Sequence, residues 1–174
     1  SADWDFSGEF TFEFWVNSLE WRSSGSNRNV LLSHGGTGGT ADVDGWTVFY
    51  QGTTDAMYVR GHGSPTFDQN VVLSIPENTW AHIAVVRDSS NVITLYHNGV
   101  GTTLATYSDD GFSVGSSQLR IGTSHEADMD FEGYLDSIRL SNTARYTADF
   151  SGSLPTTAFV SDSNTKFLLQ SGTD

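Results

Sequence analysis

Cysteine is absent from the 174 residues, so disulfides, thiolate metal centres and cysteine nucleophiles are excluded and burial of apolar surface must hold the fold. Basic residues are scarce as well: 8 Lys and Arg stand against 21 Asp and Glu, for a net charge of −13. A surface that negative repels a phosphate backbone, which makes nucleic acid a poor partner. No apolar run approaches the ~20 residues of a membrane-spanning helix, so membrane insertion is not expected. The opening Ser1-Ala-Asp-Trp-Asp5 lacks the basic start of a secretion signal, and the chain reads as a soluble mature one. Missing too are a phosphate-binding glycine loop, a dinucleotide fingerprint and the Ser-His-Asp order of a hydrolase triad. The five His show no His-x-x-x-His pairing, so a zinc site is not expected.

What the chain does contain is short β-rich runs separated by 18 Gly, three Pro and many Ser, Thr and Asn, the pattern of an all-β sandwich. Asn78 to Val100 is the clearest stretch. Trp80, His82, Ala84 and Val86 point to one side of a strand, and Ala81, Ile83, Val85 and Arg87 to the other. Asp88-Ser-Ser-Asn91 turns the chain, Val92 to His97 alternates again, and Asn98-Gly99 supplies the two positive-φ positions of a type I′ hairpin. Near the start, Phe10, Phe12, Phe14 and Val16 form an apolar face while Thr11, Glu13, Trp15 and Asn17 face elsewhere. Further strands are predicted at 29–34, 45–51, 56–60, 70–75, 116–123, 131–140 and 165–170. Helix is confined to one or two turns within 141–149, with Ser141 or Asn142 as N-cap. The length fits one domain, residues 1–174.

Three segments carry a resemblance to a family. Thr79-Trp-Ala-His-Ile-Ala-Val-Val-Arg87 with Leu95-Tyr-His-Asn-Gly99 resembles the centre of a laminin-G-like, concanavalin A-like jelly roll. Phe10-Thr-Phe-Glu-Phe-Trp-Val16 resembles its opening strand, and Phe131-Glu-Gly-Tyr-Leu-Asp-Ser-Ile-Arg-Leu140 its Gly-x-(Ile/Leu)-Asp-x-(Ile/Val)-Arg strand. The resemblance implies an antiparallel β-sandwich, a fold that carries lectins, glycosidases, adhesion modules and spacers alike. Asp162 to Gln170 resembles the strand that opens each unit in tandem arrays of surface and marine phage structural proteins, which implies either a piece of a longer polypeptide or termini permuted in function. Phe167 and Leu169 are expected to close a sheet beside the first strand.

Several constellations suggest chemistry. For sugar binding, an aromatic platform and planar hydrogen-bonding groups are needed. The candidates are Trp21 in a long loop, Trp46 and Tyr50 on one strand face, Tyr58 and Arg60 on another, and His34, His62 and His125 at strand ends. Trp15 and Trp80 are assigned to structure. Calcium takes six to eight oxygen ligands, and the resemblance implies such an ion at a loop rim. Asp42, Asp44, Asp128 and Asp130 are its candidate ligands, being two pairs with i, i+2 spacing in Gly/Ala-containing loops; a solvated acidic rim would carry the same residues. Asp136 matches the family's Asp, but on a strand it could equally bind nearby backbone.

Glu126-Ala-Asp-Met-Asp-Phe-Glu132 faintly resembles the catalytic strand of laminarinase-type glycosidases. Glu126 and Glu132 would stand about 20 Å apart on a regular strand, whereas a retaining mechanism needs ~5–5.5 Å. The expectation is therefore a non-enzymatic carbohydrate-binding or adhesion module of a virion or cell surface, acting outside the cell. Its partners would be cell-surface glycans and neighbouring subunits or other virion proteins. A purely structural role in capsid decoration, a tail fibre or oligomerisation is the alternative, with a glycosidase behind it.

Overall fold

The computed structural model describes residues 6–24, 28–35, 45–62, 65–109, 111–112, 118–124 and 129–171. Its strands, in chain order, are β1 Phe10–Glu20, β2 Arg28–Gly35, β3 Trp46–Gln51, β4 Ala56–Gly61, β5 Phe67–Val72, β6 Ala81–Arg87, β7 Val92–His97, β8 Val100–Thr106, β9 Gln118–Ile121, β10 Glu132–Ser141 and β11 Thr165–Leu169. They form the two antiparallel sheets of a β-sandwich, ordered β11-β10-β1-β6-β7-β8 and β5-β4-β3-β2-β9, which is the jelly-roll class predicted from the sequence. Contacts divide the chain into two compact units, one built on each sheet.

In the six-stranded sheet β1 lies against β6 with Phe12 opposite Val85, Phe14 opposite Ile83 and Val16 opposite Ala81. Alternation thus gathers Phe10, Phe12, Phe14 and Val16 on one fully buried face. Burial of each Phe contributes about 1.5–3 kcal/mol. The opposite face of β1 is covered too, since Thr11 and Glu13 have no exposed surface.

Residues 142–160 provide that cover as a strap. Thr11 Oγ1 donates to the Thr143 carbonyl at 2.8 Å and accepts from the Arg145 N–H at 2.9 Å. Ala144, Tyr146 and Phe150 pack on Ala84, Val86 and Tyr96. These bonds explain why 141–149 is not helical, contrary to expectation: β1 occupies backbone groups that a helix would pair internally. The strap's regular structure is a single 3-10 turn, Ser151–Ser153. The Asn98-Gly99 turn forms as predicted, with φ of 49° and 76°, and the Gly99 carbonyl accepts from the Phe150 N–H at 2.8 Å. β11 pairs with β10, Leu140 facing Phe167, so β10 stands between β11 and β1 where the sequence suggested direct neighbours.

In the five-stranded sheet Trp46, Val48 and Tyr50 of β3 turn to a buried face, where Trp46 meets Phe6 edge-on at 6.3 Å. The strand expected at 70–75 runs instead as Phe67–Val72. Buried Phe67, 5.6 Å from Phe112, draws the register back, and pairing extends from Gly61–Phe67 to Ala56–Val72.

Candidate functional site

The face of the five-stranded sheet opposite Trp46 carries a polar and aromatic array. Directly paired residues share a face, and the registers line up Asp68, Arg60, Thr47, Ser33 and Arg120 across all five strands. The next row holds Asn70, Tyr58, Phe49 and Val30, and the row beyond it sets Arg28 opposite Gln51. A bulge between Val30 and Leu32 keeps Ser33 on this side.

Tyr58 stacks on Phe49 with ring centres 4.8 Å apart and planes 6° from parallel. The guanidinium groups of Arg28 and Arg60 stand 5.4 and 5.1 Å from the Phe49 ring centre, and Arg60 lies 5.9 Å from that of Tyr58. Such contacts contribute roughly 0.5–1 kcal/mol each at exposed sites, and they fix where the donors point. Arg60 Nε donates to Asp68 Oδ1 at 3.0 Å, Arg120 to Gln118 Oε1 at 3.4 Å, and Ser33 Oγ to the Thr123 carbonyl at 3.0 Å. Val30, Phe49 and Met129 form the apolar floor. Phe49 is buried beneath these groups, so the face offers the half-buried Tyr58 ring beside planar, charged donors, which suits hydroxyl- or carboxylate-bearing rings.

Other residues nominated from the sequence lie elsewhere. Trp46, Tyr50 and His34 have no exposed surface, so the structure corrects their nomination as ligand contacts: their parity is that of Val48, the core side. The Tyr50 hydroxyl donates within the fold, to Asp55 Oδ1 at 3.2 Å or the Leu73 carbonyl at 3.1 Å, and burial together with the Asp55 charge pushes its pKa up to about 12. Trp21 is wedged 4.2 Å from the Tyr50 ring, and its indole N–H donates to the Ile75 carbonyl at 2.7 Å, which makes it a closing residue rather than a platform. His62 is half-buried at the end of β4, its backbone N–H bonded to the Gly45 carbonyl at 2.7 Å.

His125, Asp42, Asp44, Asp128 and Glu126 lie outside the described residues. Asp130 is exposed and accepts a hydrogen bond from Thr123 Oγ1; Glu132 is exposed at the start of β10. Among the described residues no three acidic or imidazole groups converge as a metal site would require. Asp136 bonds nearby backbone, the N–H groups of Ser137 at 2.6 Å and Ser171 at 2.9 Å. The sequence reading missed Arg28 and Arg120, whose place on the Tyr58 face depends on strand register. Trp80, assigned from the sequence to structure rather than to binding, is 44% exposed.

Comparison with known proteins follows the fold. No curated protein sequence matches the chain. A Bacteroides ovatus protein, provisionally named for carbohydrate binding, superposes with TM-score 0.67 and 19% identity over 95% of this chain and 45% of its own, so the present chain spans less than half of it. Domain 4 of AbnA, an extracellular GH43 arabinanase of Geobacillus stearothermophilus in complex with arabinotriose, superposes with TM-score 0.59 and 20% identity over 79% of this chain and 62% of its own. The CBM40 of a Ruminococcus gnavus IT-sialidase bound to alpha2,3 sialyllactose gives 0.59 and 11% over 72% and 71%. At such identities the likeness is one of fold. The sequence profile of Laminin_G_3, the concanavalin A-like lectin/glucanases superfamily, matches residues 1–149, and the chain belongs to that family.

Proposed function

We propose that the chain is a non-catalytic carbohydrate-binding module of an extracellular virion or cell-surface protein, attaching it to glycans through the Tyr58–Arg60 face. Residues 1–174 act as one module of a longer polypeptide, and neighbouring subunits or virion proteins are its structural partners. One observation carries the reading: three of the chain's 8 basic residues, Arg28, Arg60 and Arg120, gather with Tyr58 on one sheet face although the net charge is −13. Concentrating scarce cations there runs against the overall charge and places planar donors beside an aromatic ring. The solved structures that share the fold and hold arabinotriose or sialyllactose support the same class of ligand.

A glycan array in calcium-containing buffer, with a chelated replicate, tests it. Selective binding that weakens at least about tenfold in both Tyr58→Ala and Arg60→Ala, with circular dichroism unchanged, is the expected result. A blank array, or binding indifferent to both variants, overturns the reading in favour of a structural decoration or oligomerisation module. Calcium belongs to the proposal through Asp42, Asp44, Asp128 and Asp130, and rests on the chelated replicate. Incubation with β-glucans is expected to release no reducing ends; release abolished by Glu126→Gln or Glu132→Gln would establish the glycosidase instead.

A further inference from the structure

A second surface, in the unit built on the six-stranded sheet, has the makings of a ligand site. Trp80 directly precedes β6 on the same side as His82. The strap reaches this end at Pro155, whose carbonyl accepts from Trp15 Nε1 at 3.2 Å. Trp80 stays uncovered enough to be 44% exposed, with Tyr134 at 58% and Leu169 at 50% nearby. Two hollows of about 430 and 380 Å³ share Trp80, Asp136, Gln170 and Ser171; Trp15 helps wall the first and Tyr134 the second. Hollows of about 300–1,000 Å³ lined by rings and a few polar groups are the usual form of small-ligand sites.

The polar groups are held rather than floppy. Gln170 Oε1 accepts from the Phe159 N–H at 2.8 Å and its Nε2 donates to the Phe159 carbonyl at 3.2 Å, which leaves one amide proton and one lone pair to spare. Asp136 takes the Ser137 and Ser171 N–H groups on Oδ1 and the Ser171 hydroxyl on Oδ2. The Ser171 N–H bond, with those of its hydroxyl and Ser137 N–H, outweighs burial and keeps the carboxyl ionised below its ordinary range. Ser137 sits at φ 49° within β10, a conformation a non-glycine residue holds only under surrounding constraint.

We propose that the hollows over Trp80 bind a short neutral oligosaccharide, one sugar ring lying on the Trp80 indole and its hydroxyls reaching Gln170 and Asp136. The chemistry selects this class. An indole face suits the apolar face of a pyranose, and fixed amide and carboxylate groups suit vicinal hydroxyls. Among the described residues neither hollow is lined by Lys or Arg, so no cation of theirs compensates an anionic ligand, and the Asp136 carboxylate repels one. The site shares no residue with the Tyr58–Arg60 face, and each stands or falls without the other.

The experiment is a titration of ¹⁵N-labelled protein with cellotriose, xylotriose and maltotriose, following the tryptophan indole N–H signals, beside sialyllactose as the anionic control. At least one neutral trisaccharide is expected to shift the Trp80 signal saturably, with Kd below about 1 mM, and more tightly than sialyllactose. Calorimetry should show binding roughly tenfold weaker in Trp80→Ala, partly restored in Trp80→Phe and unchanged in Val100→Ala, an exposed position outside both faces. No saturable shift, an unchanged Kd in Trp80→Ala, or sialyllactose shifting the Trp80 signal with as low a Kd would overturn the proposal. A Trp80 signal that follows protein concentration instead of sugar would make the groove a contact between copies of the chain, and would overturn it equally.

Discussion

Glu13 offers the sharpest test of the energetics, because a carboxylate with no exposed surface sits in the middle of β1. Its Oε1 lies 2.6 Å from Arg139 Nη2 and 2.7 Å from Nε, a two-pronged ion pair, and its Oε2 accepts from the Tyr146 hydroxyl at 2.6 Å. His82 Nε2 stands 3.5 Å from Oε2, at the outer limit of a hydrogen bond. Glu13→Gln keeps the shape and removes the charge, leaving the buried Arg139 guanidinium uncompensated. Breaking such a pair from one side costs about 3–5 kcal/mol, a large share of the 5–15 kcal/mol a domain typically has.

For a chain of this size that cost corresponds to a melting temperature lower by roughly 6–20 °C, or a urea midpoint lower by about 1–3 M. Adding Arg139→Met should recover about 1–3 kcal/mol, because the stranded cation is gone. Burial pushes the Glu13 pKa up, but contacts with His82, Tyr146 and Arg139 outweigh it and bring it below the ordinary 4.5. A depressed pKa contributes stability that is present above the unfolded value and lost as pH falls through the folded one, so wild type should lose stability below about pH 4.5 more steeply than Glu13→Gln. A Glu13→Gln cost under about 1 kcal/mol, or no coupling to Arg139→Met, would refute the reasoning.

Three further outcomes are expected. Phe12→Ala, which empties a fully buried site opposite Val85, should cost about 3–5 kcal/mol by urea denaturation; a loss below about 1 kcal/mol would mean the face is not packed as described. Gly99→Ala places a Cβ 2.5 Å from the Ser151 nitrogen at φ 76°, and should cost more than about 1 kcal/mol while perturbing amide signals along 150–153; unchanged signals would show the strap does not rest on that turn. Calcium at 100 times its Kd would add about 2.7 kcal/mol, so chelation should lower the melting temperature by roughly 5–10 °C, and an unchanged value removes the proposed ion.

Alternation made the strands legible, because apolar positions two apart can satisfy a half-buried sheet in only one register. Asn98-Gly99 made its hairpin legible for a local reason as well, since positive φ at both positions limits the residues that fit. Alternation separates two faces of a strand without saying what covers each, and there the site reading faltered. Trp46 and Tyr50 share parity with Val48, which marks the core side, so the residues on the opposite face had to be Thr47, Phe49 and Gln51, of which Phe49 is itself buried under its neighbours. Their neighbours Arg28 and Arg120 come from strands far away in the chain, and a one-residue slip would send them to the other face.

For the six-stranded sheet the missing information is more distant still. Trp80, His82, Ala84 and Val86 share a side, yet they differ in exposure because the strap covers the last three and leaves the first. Thr11 meets the strap at Thr143, 132 residues onward, through side-chain bonds to backbone that no periodicity announces. Trp15 holds Pro155, and the tryptophan just beyond that bond is the one left facing water.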